Sequence, residues 1–234
     1  MRAPTRGHAS RLSGLLIVVA LGLAGCVGAM QTQATDSVGA GGLVPTVEDK
    51  DVGLVGLRKG FDLKAYSVLA VDKLPVSPQE TNDDEDRKAA ASMPPYFQSE
   101  LVRRVRETNV FARVVNLSET SFTPGPEKAL RLQGNITRLD PGSRALRYWV
   151  GFGAGRSKAQ AELHFVDVQS GEVVMVIADR RVAAYGVFGG DSEEHLQESF
   201  GDMARDLARF LTRLSKGQAP AKEPQPAEKG PSRR

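Results

Sequence analysis

Cysteine is nearly absent from this sequence: Cys26 is the only one. A lone sulfur excludes an intramolecular disulfide and a multi-thiolate metal site, so the fold must be held by its core. Histidine is scarce too, with His8, His164 and His195 far apart along the chain. None sits at a spacing that a metal ion or a catalytic base needs, so each reads as a surface residue. There is one tryptophan, Trp149. No apolar run reaches the length of a comfortable transmembrane helix. The Gly-Lys-Ser/Thr of a phosphate loop is also missing.

What is present begins at the N-terminus. Arg2, Arg6 and Arg11 precede an apolar stretch from Leu15 to Leu23, and Leu23-Ala24-Gly25-Cys26 follows. A basic segment, a short apolar segment and small residues make a secretory signal. The last four residues look like a bacterial lipobox, whose Cys is lipidated and becomes the mature N-terminus. Residues 1–25 are therefore expected to be a signal peptide, and Cys26 the attachment to membrane. Several acyl chains anchor a protein stably where one does not. Val27 follows the Cys where Asp would favour the inner membrane, so the outer membrane is expected. Cleavage removes three of 31 basic residues and none of 28 acidic ones, leaving a formally neutral chain. No charge excess remains to argue for nucleic acid.

Residues 26–60 are rich in Gly, Ser, Thr and Gln and read as a flexible tether. One domain is expected over 61–214. Tyr66 to Val71 suits a buried strand. The run Asp83-Asp84-Glu85-Asp86 reads as a solvated loop, because it lacks the glycine and the spacing of a calcium loop. Pro94 and Pro95 are expected to open a helix, where a missing N–H costs nothing. Phe97, Leu101 and Val105 form its apolar stripe, and Arg103, Arg104 and Arg106 its solvated side. Asn109 suits a left-handed cap. Phe111–Leu117 and Leu130–Ile136 read as strands, with Gly134 at a bulge or a close backbone approach.

The stretch from Arg144 to Ala184 organises the domain. Ala159, Ala161, Leu163 and Phe165 alternate with Lys158, Gln160, Glu162 and His164, so one strand face should be buried and the other wet. Asp167 to Glu172 is a turn in which Asp and Ser bond their own backbone and Gly171 takes a positive φ. The strand from Val173 completes a hairpin at the centre of the sheet. Asp179, Arg180 and Arg181 read as its salt-bridged end. Asp191 and Glu194 resemble a capping box. Leu196, Phe200, Met203, Leu207, Phe210, Leu211 and Leu214 then recur every three or four residues, the mark of an amphipathic helix. The tail 215–234 is basic, rich in Pro, Ala, Lys and Glu, and expected to be disordered.

Gly151-Phe152-Gly153-Ala154-Gly155 is not a phosphate loop, since a strand rather than a helix follows it. Gly155-Arg156-Ser157-Lys158 is not a nucleophile elbow for the same reason. Tyr148, Trp149, Val150 and Phe152 are large apolar residues beside flexible glycines. They suit either core packing or a surface for a partner or a second copy, where such residues serve as anchors.

Three segments in combination resemble a family of bacterial lipoproteins, domain of unknown function 4410: Phe111-Ala112-Arg113-Val114, the Gly151–Gly155 run before an alternating strand, and Asp167–Glu172. The resemblance covers residues 60–214 and implies an envelope lipoprotein with no assigned activity and no known catalytic residue. More distantly, the element order is similar to periplasmic domains of lipoproteins that assemble envelope machines, such as the activators of penicillin-binding proteins and the curli secretion lipoprotein.

The fold expected is α+β, a mixed sheet of four to six strands with two helices on one face. The function expected is that of a non-enzymatic outer-membrane lipoprotein. It would bind protein partners or itself in envelope assembly or maintenance, with no cofactor, metal or nucleic acid. The alternative is a periplasmic binder of a small ligand or glycan.

Overall fold

The computed structural model describes residues 30–32, 39–78, 84–142, 157–182 and 192–222. Strands β1 (Met30–Thr32), β2 (Val47–Asp49), β3 (Gly53–Leu57) and β4 (Val68–Val71) come first. Helix α1 (Asp84–Thr108), strands β5 (Arg113–Asn116), β6 (Ala129–Asp140), β7 (Lys158–Asp167) and β8 (Val173–Val182), and helix α2 (Ser192–Ser215) follow.

The strands form one mixed sheet in the order β2-β3-β8-β7-β6-β4-β5, with β1 paired to β8 beside β3. β4 runs parallel to both β5 and β6, and the other pairings are antiparallel. Every residue of β4 is buried, as a continuous apolar run inside a parallel region should be. The β7–β8 hairpin lies at the centre. Its turn is built as its residues dictate: Asp167 Oδ1 accepts from the N–H groups of Gln169 and Ser170 at 2.8 and 2.9 Å, and Gly171 has φ +71°.

The two helices among the described residues lie on one face of the sheet. Phe97 of α1 and Phe200 of α2 meet at a ring-centroid distance of 4.9 Å, tilted by 41°. The α2 stripe of Leu196, Phe200, Met203, Leu207, Phe210 and Leu211 is fully within the core. Burial of each large side chain contributes about 1.5–3 kcal/mol. Asn109 ends α1 with φ +55°, the left-handed cap. Gly134 meets the close approach expected of it. Its φ is +149°, and a Cβ there would lie 2.0 Å from the Glu162 carbonyl oxygen.

The structure departs from the sequence reading in six places. The sheet has eight strands among the described residues, not four to six. The additional ones come from 26–60: β1, β2 and β3 pair onto the β8 side of the sheet, and Val52 and Val55 belong to the core, so this region is no tether throughout. Helix α1 starts at Asp84, so Pro94 and Pro95 lie inside it rather than opening it. They forgo the backbone bonds to the carbonyls of Ala90 and Ala91. Asp84, Glu85 and Asp86 are its first turn rather than a loop, where they offset the helix dipole, and Ala89 and Met93 pack into the core. The second face of β7 is not wet, because Gln160 is 2% and Glu162 6% exposed. Two strands away on the same sheet, the chain at 39–46 packs against β3, with the Val44 carbonyl 2.5 Å from where a Gly56 Cβ would sit. Part of the tail is ordered against β2: the Lys50 N–H donates to the Ala221 carbonyl at 3.0 Å, and Lys222 pairs with Glu48 at 2.6 Å.

Candidate functional site

Cys26, Tyr148, Trp149, Val150 and Phe152 lie outside the described residues, as does Asp191 of the expected capping box. The frame that carries the aromatic segment is described. β6 ends at Asp140 and β7 begins at Lys158, and these two residues pair across the ladder. Ser157, fully buried, donates its hydroxyl to the Pro141 carbonyl at 2.6 Å. The Gly142 N–H donates to Asp140 Oδ1 at 2.9 Å, and Lys158 lies 3.7 Å from Asp140. The end of β6 and the start of β7 are therefore closed against each other by strand pairing and by the Ser157–Pro141 hydrogen bond.

A second site assembles from residues distant in sequence. At the β2–β3 turn, Asp49 Oδ1 accepts from the Asp51 N–H at 2.9 Å. Arg213, in the last turn of α2, donates to both Asp49 oxygens at 2.7 and 2.8 Å and to Asp51 Oδ2 at 2.8 Å. Arg181 of β8 donates to both oxygens of Asp179, at 3.0 and 2.7 Å, and to the Asp51 carbonyl at 2.8 Å. Its other nitrogen lies 3.0 Å from Asp206 of α2. Asp206 also receives Arg205 at 3.2 Å and Arg209.

Burial of charge is costly unless each group is multiply bonded, and here Arg181 and Arg213 each serve two or more carboxylates. Burial pushes the Asp179 carboxyl up, and the nearby Asp206 charge adds to this, against the pull of the Arg181 guanidinium. Burial also opposes the Arg181 and Arg213 charges, but the carboxylates around them outweigh it and raise both. These shared pairs join α2 to the sheet and to the β2–β3 turn. Above them runs an open groove of about 440 Å³, walled by Lys50 and by residues of the last turns of α1 and the second half of α2. Five cationic side chains, Lys50, Arg104, Arg205, Arg209 and Arg213, line it against two carboxylates, Asp51 and Glu107.

The remaining sequence candidates resolve as follows. Arg103 pairs with Glu100 at 2.5 Å and Glu107 at 2.8 Å, and its hydrogen bond holds the Glu100 carboxyl below its usual range. Arg106 donates to the Val114 carbonyl. The basic side of α1 is thus largely neutralised by its own turns; Arg104, which lines the groove, lies 3.4 Å from Glu100 and 3.9 Å from Glu107. His164 lies 4.0 Å from Glu162, and His195 lies 3.9 Å from Glu198. Burial pulls His164 below the ordinary histidine pKa, more than Glu162 lifts it. Asp179–Arg181 is the salt-bridged strand end that the sequence suggests. Asp49, Asp51 and Arg213 carry no local signal, because their pairing spans more than a hundred and sixty positions. Among the described residues, no three His, Cys, Asp or Glu side chains gather as a metal site.

Residues 57–187 match the model of a family described as "Domain of unknown function (DUF4410)". No curated protein is significantly similar in sequence. Among solved structures, a PelC dodecamer from Paraburkholderia phytofirmans is 15% identical, with a TM-score of 0.41 over 65% of this chain and 95% of that one. Protein XCC0632 from Xanthomonas campestris is 10% identical, with a TM-score of 0.43 over 74% of this chain and 95% of that one.

Proposed function

We propose, for a chain that belongs to the DUF4410 family, the role of a lipid-anchored outer-membrane lipoprotein that binds protein partners or a second copy of itself in envelope assembly or maintenance, without catalysis. Cys26 is the anchor, and the domain faces the periplasm. The segment Tyr148 to Phe152 is the contact surface. The observation that carries this reading is the closed base formed by Ser157 and Pro141. It closes the end of the β6–β7 pair, and the sequence between these strands carries the large apolar residues and glycines that suit an interface anchor. Two further features agree with it. The buried titratable groups at the β2–β3 turn are engaged with one another. The groove beside them is open, where a small-molecule site would be enclosed and mainly apolar.

The test is made in intact cells. A photo-crosslinking residue in place of Trp149 should capture one defined envelope protein, or the chain itself, on the outer membrane. Cys26→Ser should leave an unprocessed or soluble periplasmic species. If that variant still fractionates with the outer membrane, the anchor is wrong. If residue 149 captures nothing above a position in β6, the contact surface is wrong.

A further inference from the structure

The charges around the groove are arranged in two layers. The inner carboxylates are buried: the side chains of Asp206, Asp202 and Asp51 are 5%, 10% and 10% exposed. The outer guanidinium groups reach solvent, with Arg205 45% and Arg209 56% exposed. Each guanidinium carries five N–H donors, and the carboxylates behind use only some of them. The inner layer therefore fixes the heads, and the outer surface is left cationic. Lys50 adds a further exposed ammonium, with no ion pair among the described residues.

The spacing bears on what fits. Arg205, Arg209 and Arg213 stand at every fourth position of α2, so they form a row with steps of about 6 Å along the helix. An extended polypeptide presents same-side residues about 6.6–6.8 Å apart. Acidic residues at alternate positions of such a chain would meet successive guanidinium groups. A single small anion is matched instead by donors that converge on one point, and these are spread along a row.

We infer that this groove binds an extended acidic segment of a partner protein, with carboxylates at alternate positions. Its described lining shares no residue with the contact surface assigned to Tyr148–Phe152. A peptide alternating Glu and Thr, titrated against the full chain at low salt, should bind and should weaken as salt is raised. Lys50→Glu and Arg209→Glu should each weaken it by at least about tenfold, the scale of one charge-assisted contact. Lys50→Glu touches no ion pair, so its unfolding midpoint should match the parent and exclude a folding defect. Equal binding by both variants would overturn the inference, as would equal binding of a Lys–Thr peptide. Displacement of the peptide by inorganic phosphate at equal charge would show a small-anion site instead. Binding of phosphatidylglycerol vesicles without binding of the peptide would show a membrane surface instead.

Discussion

Arg181 on β8 lies 3.0 Å from Asp206 on α2 while gripping Asp179 on its own strand, so one buried guanidinium joins helix to sheet. Arg181→Ala would strand the Asp179 charge in the interior. A loss of about 3–5 kcal/mol is expected, as for other broken buried pairs. Replacing both partners, with Arg181→Met and Asp179→Leu together, should cost less than Arg181→Ala alone, because no lone charge remains on the strand and Asp206 keeps Arg205 and Arg209. Urea unfolding of the three proteins checks this order. A harmless Arg181→Ala would show that the network adds nothing.

Gly134→Ala and Gly171→Ala separate two costs of glycine replacement. Both glycines have positive φ, but a Cβ at Gly171 would meet nothing within 4 Å, whereas one at Gly134 would strike the Glu162 carbonyl. Gly171→Ala should lose only the backbone term, about 1–3 kcal/mol. Gly134→Ala should lose that and more, since β6 and β7 must part locally. Equal unfolding midpoints for the two variants would contradict the close approach.

His164 should make the fold sensitive to mild acid. Burial lowers its pKa in the folded state from the unfolded value of 6.5, so the unfolded chain binds the proton more readily. The associated stability is present above the unfolded pKa and is lost as pH falls below it. Between about pH 8 and about pH 5 the parent should lose more stability than His164→Gln. Parallel stability curves for the two proteins would remove His164 as the cause.

Trp149 reports its own surroundings because it is the only tryptophan. As an interface anchor it should give a red-shifted, quencher-accessible spectrum in the monomer. Trp149→Ala should then weaken association by at least about 2 kcal/mol and change the stability of the domain much less. A blue-shifted, protected spectrum, with a stability loss of about 3–5 kcal/mol on truncation, would place it in the core.

Much of this fold was legible where one residue type has one physical use. The α2 stripe, the Asp167–Gly171 turn, the Asn109 cap and the Gly134 approach each follow from local chemistry. The failures share a cause as well. β1, β2 and β3 are only three to five residues long, and their strand character comes from pairing with each other and with β8, not from any periodicity of their own. Pro94 and Pro95 mark a helix start by local preference, yet the packing of Ala89 and Met93 extends α1 upstream of them. Gln160 and Glu162 look wet because alternation says nothing about what covers the second face. The groove was illegible for the same reason, since it joins Lys50 to Arg104 and to Arg205–Arg213.

β3 lies between β2 and β8, and Asp49 at the end of β2 is held by Arg213 and by the N–H of Ala221, 172 positions away. Contacts of such span close late, because the loop entropy must be met before they form. These early strands of the chain are therefore among the last to be secured. Until the second half of α2 is free, β3 has no settled neighbour on one side and its edge is open to other chains. The pace of folding is thus set by residues that touch these strands in space but lie more than a hundred and sixty positions away in sequence.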